Sequence, residues 1–416
     1  MAHVTQSHPV EAPGGGRRWL DRTTPPHIVT LVLIAGIGAL NMNIFLPSLP
    51  GMAEWFQADY AVVQLAISAY LGVTALLQLV IGPLSDRYGR RVVMLWAMGV
   101  FTLATLGCLL SPTIGWFLAF RFVQAVVASG MVLSRAVVRD MVGPDRAASM
   151  IGYVTMGMAL VPMIGPLIGG QLEAMFGWHG SVALLVVAGL AVWWLVWADM
   201  GETNAAQSSG FAEQFRAYPE LLTAPRFWGY ALTAAFASGA FFAFLGGGPN
   251  VASVTLDLSP RALGAYFGFI AGGYMLGNFL SGRFSAQMGL NRMMLAGAAT
   301  ASSGLIVAVA LFGSGLDHPM SLFGPLFFVG VGNGLTLPSA NAGMVSVRPH
   351  LAGSASGLGG ALMIGGGAAL AAITGAMPVE RFGVWPLLIA MLSAAVLSGL
   401  CTLFVMYRVR KTRVEA

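Results

Sequence analysis

Long apolar runs recur along the whole chain and are separated by short polar segments. A spanning helix needs roughly 20 mostly apolar residues to cross the hydrocarbon core of a bilayer. Only 9% of the residues are charged, against about 25% in soluble domains, so the runs are predicted to lie in a membrane. Twelve spanning helices are predicted, near 27–47, 60–81, 92–110, 114–136, 147–171, 177–199, 227–248, 260–281, 293–313, 318–341, 353–376 and 384–408.

The longest polar segment between two apolar runs divides the chain into halves of six helices. Residues 201–225 lie between the sixth and seventh runs and are predicted to form a central cytoplasmic linker. The predicted bundles are 27–200 and 226–408, with a polar tail at 1–26 and a basic tail at 409–416. The first tail lacks the short apolar core of a signal peptide, so we expect a disordered cytoplasmic segment there.

Basic residues outside the predicted helices fall almost entirely on one side of the membrane. They occupy both tails, the linker and every second loop, whereas Arg261 and Arg381 fall on the other side. Because Lys and Arg are enriched in cytoplasmic loops, both termini are predicted to be cytoplasmic. We therefore expect a protein of a bacterial-type inner (plasma) membrane. The placement of its basic residues, which give a net charge of +5, fits orientation in the lipid bilayer better than nucleic-acid binding.

A short charged segment after the second run reads Gly-Pro-Leu-Ser-Asp-Arg-Tyr-Gly-Arg-Arg at 82–91 and is predicted to be a glycine-bounded cytoplasmic turn. Residues 282–289, after the second helix of the other half, repeat the spacing of 82–89, with Ala286 in the place of Asp86. Two such halves predict parallel repeats related by an axis along the membrane normal. In transporters of this plan the substrate site lies between the repeats, near the midplane.

Several motifs resemble those of the major facilitator superfamily. Segment 82–91 has the G-x-L-x-D-R-x-G-R-R spacing of the loop between that family's second and third helices. Residues 121–124 resemble the R-x-x-Q motif of its fourth helix, although Ala125 departs from the usual glycine. The fifth run resembles the antiporter motif of the members that export drugs, through Gly157, Pro162, Gly165, Pro166, Gly169 and Gly170.

The first helix narrows the resemblance to one branch of this superfamily. Residues 41–50 read Asn-Met-Asn-Ile-Phe-Leu-Pro-Ser-Leu-Pro and, with Gly-Pro pairs at 165–166 and 248–249, resemble the bicyclomycin- and chloramphenicol-resistance branch of the twelve-helix drug:proton antiporters. The resemblance implies an all-α integral membrane fold of two pseudo-symmetric six-helix bundles. It also implies export of small amphipathic compounds by proton antiport through alternating access. We expect a monomer with a small-molecule substrate and with neither cofactor nor metal.

The charged segment is the candidate for a cytoplasmic gate. Asp86 is predicted to face the positive N-terminal end of the eleventh helix, with Ser354 as its cap. Arg87 or Arg90 is predicted to pair with Asp140, at the cytoplasmic end of the fourth helix. The alternative is that these residues only anchor the topology. The predicted gate comprises Gly82, Asp86, Arg87, Gly89, Arg90, Arg91 and Asp140.

Arg121 lies inside the fourth run, where an arginine costs about 2.5–3.5 kcal/mol even on insertion scales. We predict that it faces a polar cavity, with Gln124, Ala128 and Arg135 following on the same helical face. The alternative is a side chain that extends to the outer interface. The predicted substrate and coupling pathway comprises Arg121, Gln124, Asn43, Asn41, Gln64, Tyr274, Asn278 and Asn333.

No acidic residue falls near the middle of a predicted helix. The resembled branch usually has an acid where Asn43 stands and a tyrosine where Phe45 stands. Proton coupling usually needs a titratable group, so either a peripheral acid couples or the substrate carries the charge. In the second case Arg121 would suit an anionic substrate. The peripheral candidates are Glu54, Asp59 and Glu173.

The sequence leaves alternatives to drug export. One is a facilitator, importer or exporter of an organic anion or metabolite that works without proton coupling. A transport-dead membrane sensor is another, and so is a membrane-embedded enzyme, although no H-E-x-x-H or Ser/His/Asp set falls at membrane depth. An ATP-driven pump is excluded, because Lys411 is the only lysine and no G-x-x-x-x-G-K-[ST] loop exists.

Overall fold

The computed structural model describes residues 19–142, 150, 154, 161, 164–204, 219–348 and 351–414, and every regular element among them is helical. The N-terminal half contains α1 (Ile28–Asn43), α2 (Leu65–Tyr88), α3 (Arg90–Leu109), α4 (Ile114–Gln124 and Ala128–Met141, joined by the 3₁₀ turn Ala125–Val127), α5 (described at 164–176) and α6 (Trp178–Asp199). The C-terminal half contains α7 (Pro225–Val254), α8 (Pro260–Met288), α9 (Leu290–Gly313), α10 (Pro319–Val347), α11 (Ala352–Gly375) and α12 (Trp385–Val414).

Short helices lie between some of these elements. The 3₁₀ turn Leu46–Ser48 and the helix Leu49–Phe56 follow α1 directly, and we call residues 46–56 the α1 extension. Tyr60–Val63 precedes α2, and Val379–Phe382 precedes α12. The α1 extension packs against α7 and α8 and therefore belongs to the contact between the two halves.

The predicted all-α membrane fold is confirmed. Eleven helices among the described residues are long and apolar enough to cross a membrane, and they match eleven of the twelve predicted spans. The fifth predicted span, 147–171, falls largely outside the described residues. Its described end is helical and continues to residue 176.

The predicted turn at 82–91 is wrong in extent. Helix α2 continues through Gly82 and Pro83 to Tyr88, and α3 begins at Arg90, so the chain breaks only at Gly89. The Gly89 N–H donates to Ser85 O at 3.0 Å and closes the last turn of α2, and an Asp86–Arg90 ion pair of 2.6 Å links that turn to the first residue of α3. Loss of hydropathy marks where the bilayer ends, and a helix can extend beyond that point.

The internal repeat is visible in the backbone. Gly89 has φ 94° and ψ 146°, and Gly289 has φ 80° and ψ 154°, a combination that non-glycine residues essentially do not adopt. In the second half the Gly289 N–H donates to Ser285 O at 2.9 Å, as Gly89 does to Ser85. The two junctions therefore turn the chain in the same way, although Ala286 replaces the acid.

The two halves contact each other on the side away from Gly89 and Gly289, which we call the opposite side; the other is the basic side. The Tyr60 hydroxyl donates to Gly246 O at 3.1 Å, and Gln64 Nε2 donates to Ala371 O at 2.7 Å. A methyl group added at Gly264 would overlap the carbonyl oxygen of Pro166. These contacts bring the segment just before α2, together with α5, against α7, α8 and α11 of the other half.

The basic side has open space near the same helices. A methyl group added at Gly82 of α2, or at its counterpart Gly282 of α8, would meet no atom within 4 Å. The close contacts of α2 and α8 with the other half therefore lie toward the opposite side and do not extend to these two glycines.

The segment before α1 is held against α6, which differs from the predicted disordered tail over residues 19–26. Asp199, at the last position of α6, is fully buried. Its Oδ1 accepts from Leu20 N at 2.7 Å, and its Oδ2 accepts from His27 N at 2.8 Å and from the Thr30 hydroxyl at 2.5 Å. A buried carboxylate must have such donors, so the segment and α6 stabilise each other.

Replacing Asp199 by asparagine is expected to destabilise the N-terminal half. The amide oxygen can take the Oδ2 position and keep two of the three donors, but the Leu20 N–H then faces the amide NH2 and the charge is lost, a cost of about 1.5–3 kcal/mol for a hydrogen bond to a charged group. Thermal unfolding in detergent measures the loss, and protease cleavage within 19–27 should accelerate. The control is Asp317→Asn, an exposed acid in the α9–α10 connection. Equal melting temperatures for the two variants would contradict the anchoring role of Asp199.

Candidate functional site

Arg121 is the centre of a buried polar network in the N-terminal half. It is 2% exposed and lies on α4, one turn before the 3₁₀ break. Its Nε donates to Ala66 O at 3.0 Å, its NH1 to Asn41 Oδ1 at 2.7 Å and Gln124 Oε1 at 2.8 Å, and its NH2 to Asn41 O at 2.9 Å. Arg121, Asn41 and Gln124, which were predicted for one pathway, are therefore in direct contact.

Aromatic rings complete the environment of the guanidinium group. The Arg121 Cζ lies 4.3 Å from the ring centre of Phe45 and 4.1 Å from that of Tyr70. Tyr70 in turn accepts from Asn41 Nδ2 at 3.2 Å, and Gln124 Nε2 donates to the Thr105 hydroxyl at 2.9 Å. Among the described residues no carboxylate pairs with Arg121 within 4 Å, so carbonyl groups and ring faces stabilise its charge.

This arrangement bears on both sequence hypotheses for Arg121. The side chain does not extend to the membrane interface, because it is buried against α1 and α2. Four of its hydrogen bonds already end on protein acceptors, so an anionic substrate would have to displace one of them. Tyr70 and Thr105 were missed from the sequence. Both lie on helices next to α4 at a depth similar to that of Arg121, but depth alone does not show that their side chains face it.

Asn43 occupies the position where the resembled branch has an acid. Its Nδ2 donates to Ala39 O at 2.7 Å, whereas its Oδ1 is buried and has no partner. A methyl group added at Gly165 of α5 would lie 3.5 Å from the Asn43 Cβ. Asn43 therefore faces α5 and lies apart from the hydrogen bonds of Arg121.

The other predicted pathway residues are not part of the Arg121 network. Gln64 is in the contact between α2 and α11, where its Oε1 also accepts from Ser68 at 3.2 Å. Tyr274 and Asn278 are hydrogen-bonded neighbours on α8, and Asn278 Nδ2 donates to Tyr274 O at 2.8 Å. Asn333 is buried on α10 at 5% exposure. The structure thus separates the predicted pathway into the Arg121 network, Asn43 against α5, Gln64 in the contact between the halves, and two positions on α8 and α10.

Helix α5 carries the glycines and prolines of the predicted antiporter motif. Gly165 and Gly169 face α1, and a methyl group at Gly169 would overlap the carbonyl oxygen of Ile44. One at Gly170 would lie 2.5 Å from Pro260 O, and Gly264 approaches Pro166 in the same contact. Helix α5 therefore packs between α1 of its own half and α8 of the other. The remaining motif residues, Gly157 and Pro162, lie outside the described residues.

The predicted gate residues form a charge cluster within the N-terminal half. Arg90 pairs with Asp86 at 2.6 Å, pairs with Asp140 at 3.0 Å and also donates to the Ser85 hydroxyl. Arg87 was the other candidate partner of Asp140, but its guanidinium lies over the Tyr88 ring. Helix α11 begins at Ala352 without a side-chain cap, so Ser354 is not its N-cap.

Glu202 joins this cluster from the linker and was missed by the sequence reasoning. Its Oε1 accepts from Arg90 N at 2.9 Å and its Oε2 from Arg91 N at 3.2 Å, at the start of α3. A carboxylate there satisfies free N–H groups and the positive end of the helix dipole. Arg91 also donates to Trp197 O at 3.0 Å, and Asn204 donates to Asp86 O at 2.9 Å. The first linker residues are therefore bound to the predicted gate.

Substituting alanine at Gly89 is expected to be more destabilising than at Gly289. Both positions have the same backbone conformation, so each substitution costs about 1–3 kcal/mol in strain. At Gly89 the new methyl group would also overlap Glu202 Oε2, whereas at Gly289 it meets open space. Displacing Glu202 removes a helix cap worth about 1 kcal/mol more. Thermal unfolding of the two variants in detergent tests this, and equal losses would show that Glu202 contributes nothing.

The three acids considered for proton coupling differ in environment. Glu54 and Asp59 are exposed on the opposite side. Glu173, near the end of α5, is partly buried, and its Oε2 is buried without a hydrogen-bond partner. Only Glu173 of these three thus combines a carboxyl group with burial against other helices.

Comparisons with known proteins agree with this architecture. The family model for the Major Facilitator Superfamily matches residues 31–372. The uncharacterized MFS-type transporter YdgK of Bacillus subtilis (strain 168) is 31% identical over 80% of this chain and 84% of its own. A bicyclomycin resistance protein homolog of Haemophilus influenzae (strain ATCC 51907 / DSM 11121 / KW20 / Rd) is 28% identical over 93% of this chain and 97% of its own.

Solved structures support the same fold. A bacterial homolog of the human lysosomal transporter Spinster superposes with a TM-score of 0.68 and covers 92% of this chain and 96% of its own. Its sequence identity is 16%, so the similarity concerns the fold alone. The resemblance inferred from the motifs is confirmed by the family match over most of the chain. The chain is an integral membrane protein of the major facilitator superfamily.

Proposed function

We propose that this protein exports small amphipathic compounds from the cytoplasm in exchange for protons. Export requires that a path between the halves opens alternately to the two sides. The observation that carries the proposal is the position of α5, which packs by its glycines on α1 and, across the halves, on α8. Helices packed this closely are either in contact or apart, with no stable intermediate. A transporter that opens alternately to two sides requires a contact of this kind.

The orientation follows from charge. The basic side holds Arg87, Arg90 and Arg91, which the positive-inside rule assigns to the cytoplasm of an inner membrane. The contacts on the opposite side, with the open space at Gly82 and Gly282, favour a state accessible from the cytoplasm. A bicyclomycin resistance protein homolog among the relatives favours drugs as the substrate class. The transporter is expected to act as a monomer in the lipid bilayer, without a cofactor.

A second candidate is a carrier of an organic anion or metabolite without proton coupling. The observation in its favour is the lack of a carboxylate partner for Arg121 within the described chain. Asn43, which also cannot titrate, lies where the resembled branch has its acid. A carrier of this kind would move its substrate down its own gradient and would be insensitive to a proton gradient.

Proton flux in everted membrane vesicles distinguishes the two candidates. Respiration acidifies the vesicle interior, and drugs and organic anions are added in turn while interior pH is recorded. Alkalinisation that requires the protein supports antiport, whereas uptake of labelled anion without a proton signal supports the facilitator. Asp86→Asn, which disrupts the cluster around Arg90, is expected to be inserted but inactive. An active Asp86→Asn variant would contradict the gate role of that cluster.

A further inference from the structure

One face of α5 ends in an acid. Gly165, Gly169 and Glu173 are spaced by four residues, so they lie on the same side of the helix. The first two pack against α1 at Asn43 and Ile44. Glu173 continues this face by one turn and lies against the α1 extension, where a methyl group at Gly51 would be 2.6 Å from its Oε1.

The surroundings of the Glu173 carboxyl group do not suit a charge. Its Oε2 is buried and accepts no hydrogen bond. Ser48 of the α1 extension faces the carboxyl group and can donate one hydrogen bond to it. One neutral donor does not replace the hydration that a carboxylate loses on burial, so the neutral acid, which can also donate to a neighbour, is favoured.

Glu173 lies next to the contact between the halves. The α1 extension that covers it packs on α7 and α8. Three residues before Glu173, Gly170 packs against Pro260 and Arg261 at the start of α8. The α1 extension that covers the carboxyl group therefore rests on the other half while the opposite side is closed, and we expect separation of the halves to release the extension and to expose Glu173 to water on that side.

No neighbouring charge compensates Glu173. The elements around it are the α1 extension with its connection to α2, the start of α6, and the α7–α8 connection. Among the described residues no ion pair within 4 Å joins Glu173 to any of them. His179 on α6 stacks on Trp178 and contacts Trp55. The titratable and charged groups of these elements are Glu54, Asp59, Tyr60, His179, Asp257 and Arg261.

We propose that Glu173 is the carboxyl group whose protonation closes the opposite side of the transporter. The halves close on the neutral acid, and ionisation of Glu173 favours their separation. The proton is taken from water on the opposite side when the contact forms and returns to that water when the contact opens. This inference rests on the proposed alternation between two openings and adds the group that makes one of them respond to external pH.

Labelling of a single cysteine measures the opening. In a chain with Cys108 and Cys401 replaced by alanine, Leu263→Cys places a thiol on α8 at a residue that is 1% exposed. Cells are treated with a membrane-impermeant maleimide while external pH is stepped from about 5.5 to about 8.5, a range that covers buried carboxyl groups. Rates are divided by those of Thr113→Cys, an exposed residue on the same side, to remove the intrinsic pH dependence of thiol reactivity.

The parent chain is expected to label faster as external pH rises, by up to about tenfold per pH unit, because one proton is linked to closure. Glu173→Gln mimics the neutral acid and should label slowly at every pH. Glu54→Gln, the matched control on the exposed face of the α1 extension, should follow the parent. Labelling of the parent that does not change with pH, or a Glu173→Gln profile that still does, would overturn the proposal. A second series with Val251→Cys, also 1% exposed, replaces the first if Leu263→Cys does not fold.

Different results would refute the Glu173 mechanism and the proposed drug:proton antiport. A chain with Glu173-dependent labelling that exchanges no compound for protons would refute antiport and retain the Glu173 mechanism. A chain that exchanges drug for protons but labels independently of pH would overturn the Glu173 mechanism alone.

Discussion

Replacing Gly169 by alanine is expected to abolish transport and to destabilise the protein. In an isolated helix this change would be favourable by about 1 kcal/mol, because alanine loses less backbone entropy than glycine. In this structure the new methyl group would overlap the carbonyl oxygen of Ile44, which belongs to the backbone of the α1–α1 extension junction and cannot rotate away. Helices α1 and α5 would have to separate, at a cost of about 1–3 kcal/mol.

The matched control is Gly165→Ala, one turn earlier on the same face. Its methyl group would lie 3.5 Å from Asn43 Cβ and Leu40 Cδ1, an ordinary van der Waals contact. We therefore expect this variant to transport normally and to melt at or slightly above the parent temperature. Transport in vesicles and thermal unfolding in detergent provide both readouts. Equal transport and equal melting temperatures for the two variants would show that the α1–α5 contact does not require glycine at position 169.

Replacing Arg121 by lysine is expected to abolish transport of every substrate, anionic or not. Lysine keeps the charge, but its three donors on one atom cannot reach Ala66 O, Asn41 and Gln124 together. The planar contact with the Phe45 and Tyr70 rings is also lost. The unsatisfied buried acceptors should reduce the free energy of unfolding by about 3 kcal/mol.

A double-mutant cycle with Asn41→Ala separates the network from a substrate role. Because Asn41 accepts twice from Arg121, the two substitutions should be strongly non-additive in melting temperature without any substrate. Arg283→Lys, an exposed arginine on α8, is the control and should be neutral. Selective loss of anionic substrates in Arg121→Lys, with unchanged stability, would instead support direct binding of anions by Arg121.

The positions of the helices could be predicted from sequence because a bilayer imposes a length on every apolar run. The junction at Gly89 could not be predicted in this way. The Asp86–Arg90 pair links α2 to α3 across Gly89, and hydropathy does not record such a pair. The repeat in sequence did predict the repeat in structure, since only glycine accepts the backbone angles at 89 and 289.

The candidate site was predicted in part. Arg121 and Gln124 share a helical face because they are three residues apart, and this is readable from spacing. Contacts of Arg121 with Asn41 and Tyr70 join three helices, and the depth of each residue in its own run does not specify which side chains face each other. Glu202 was missed for the same reason, because it reaches Arg90 across 112 residues of chain.

The attachment of the first residues to Asp199 has a consequence for synthesis. Leu20 is paired with a residue 179 positions later, so its hydrogen bond can form only after the ribosome has completed α6. At that moment the second half has not yet been made. Domains fold as units in the order in which they emerge. The Asp199 carboxylate therefore marks the completion of the first bundle, and a chain stalled before it would lack the group that holds its N-terminal segment in place.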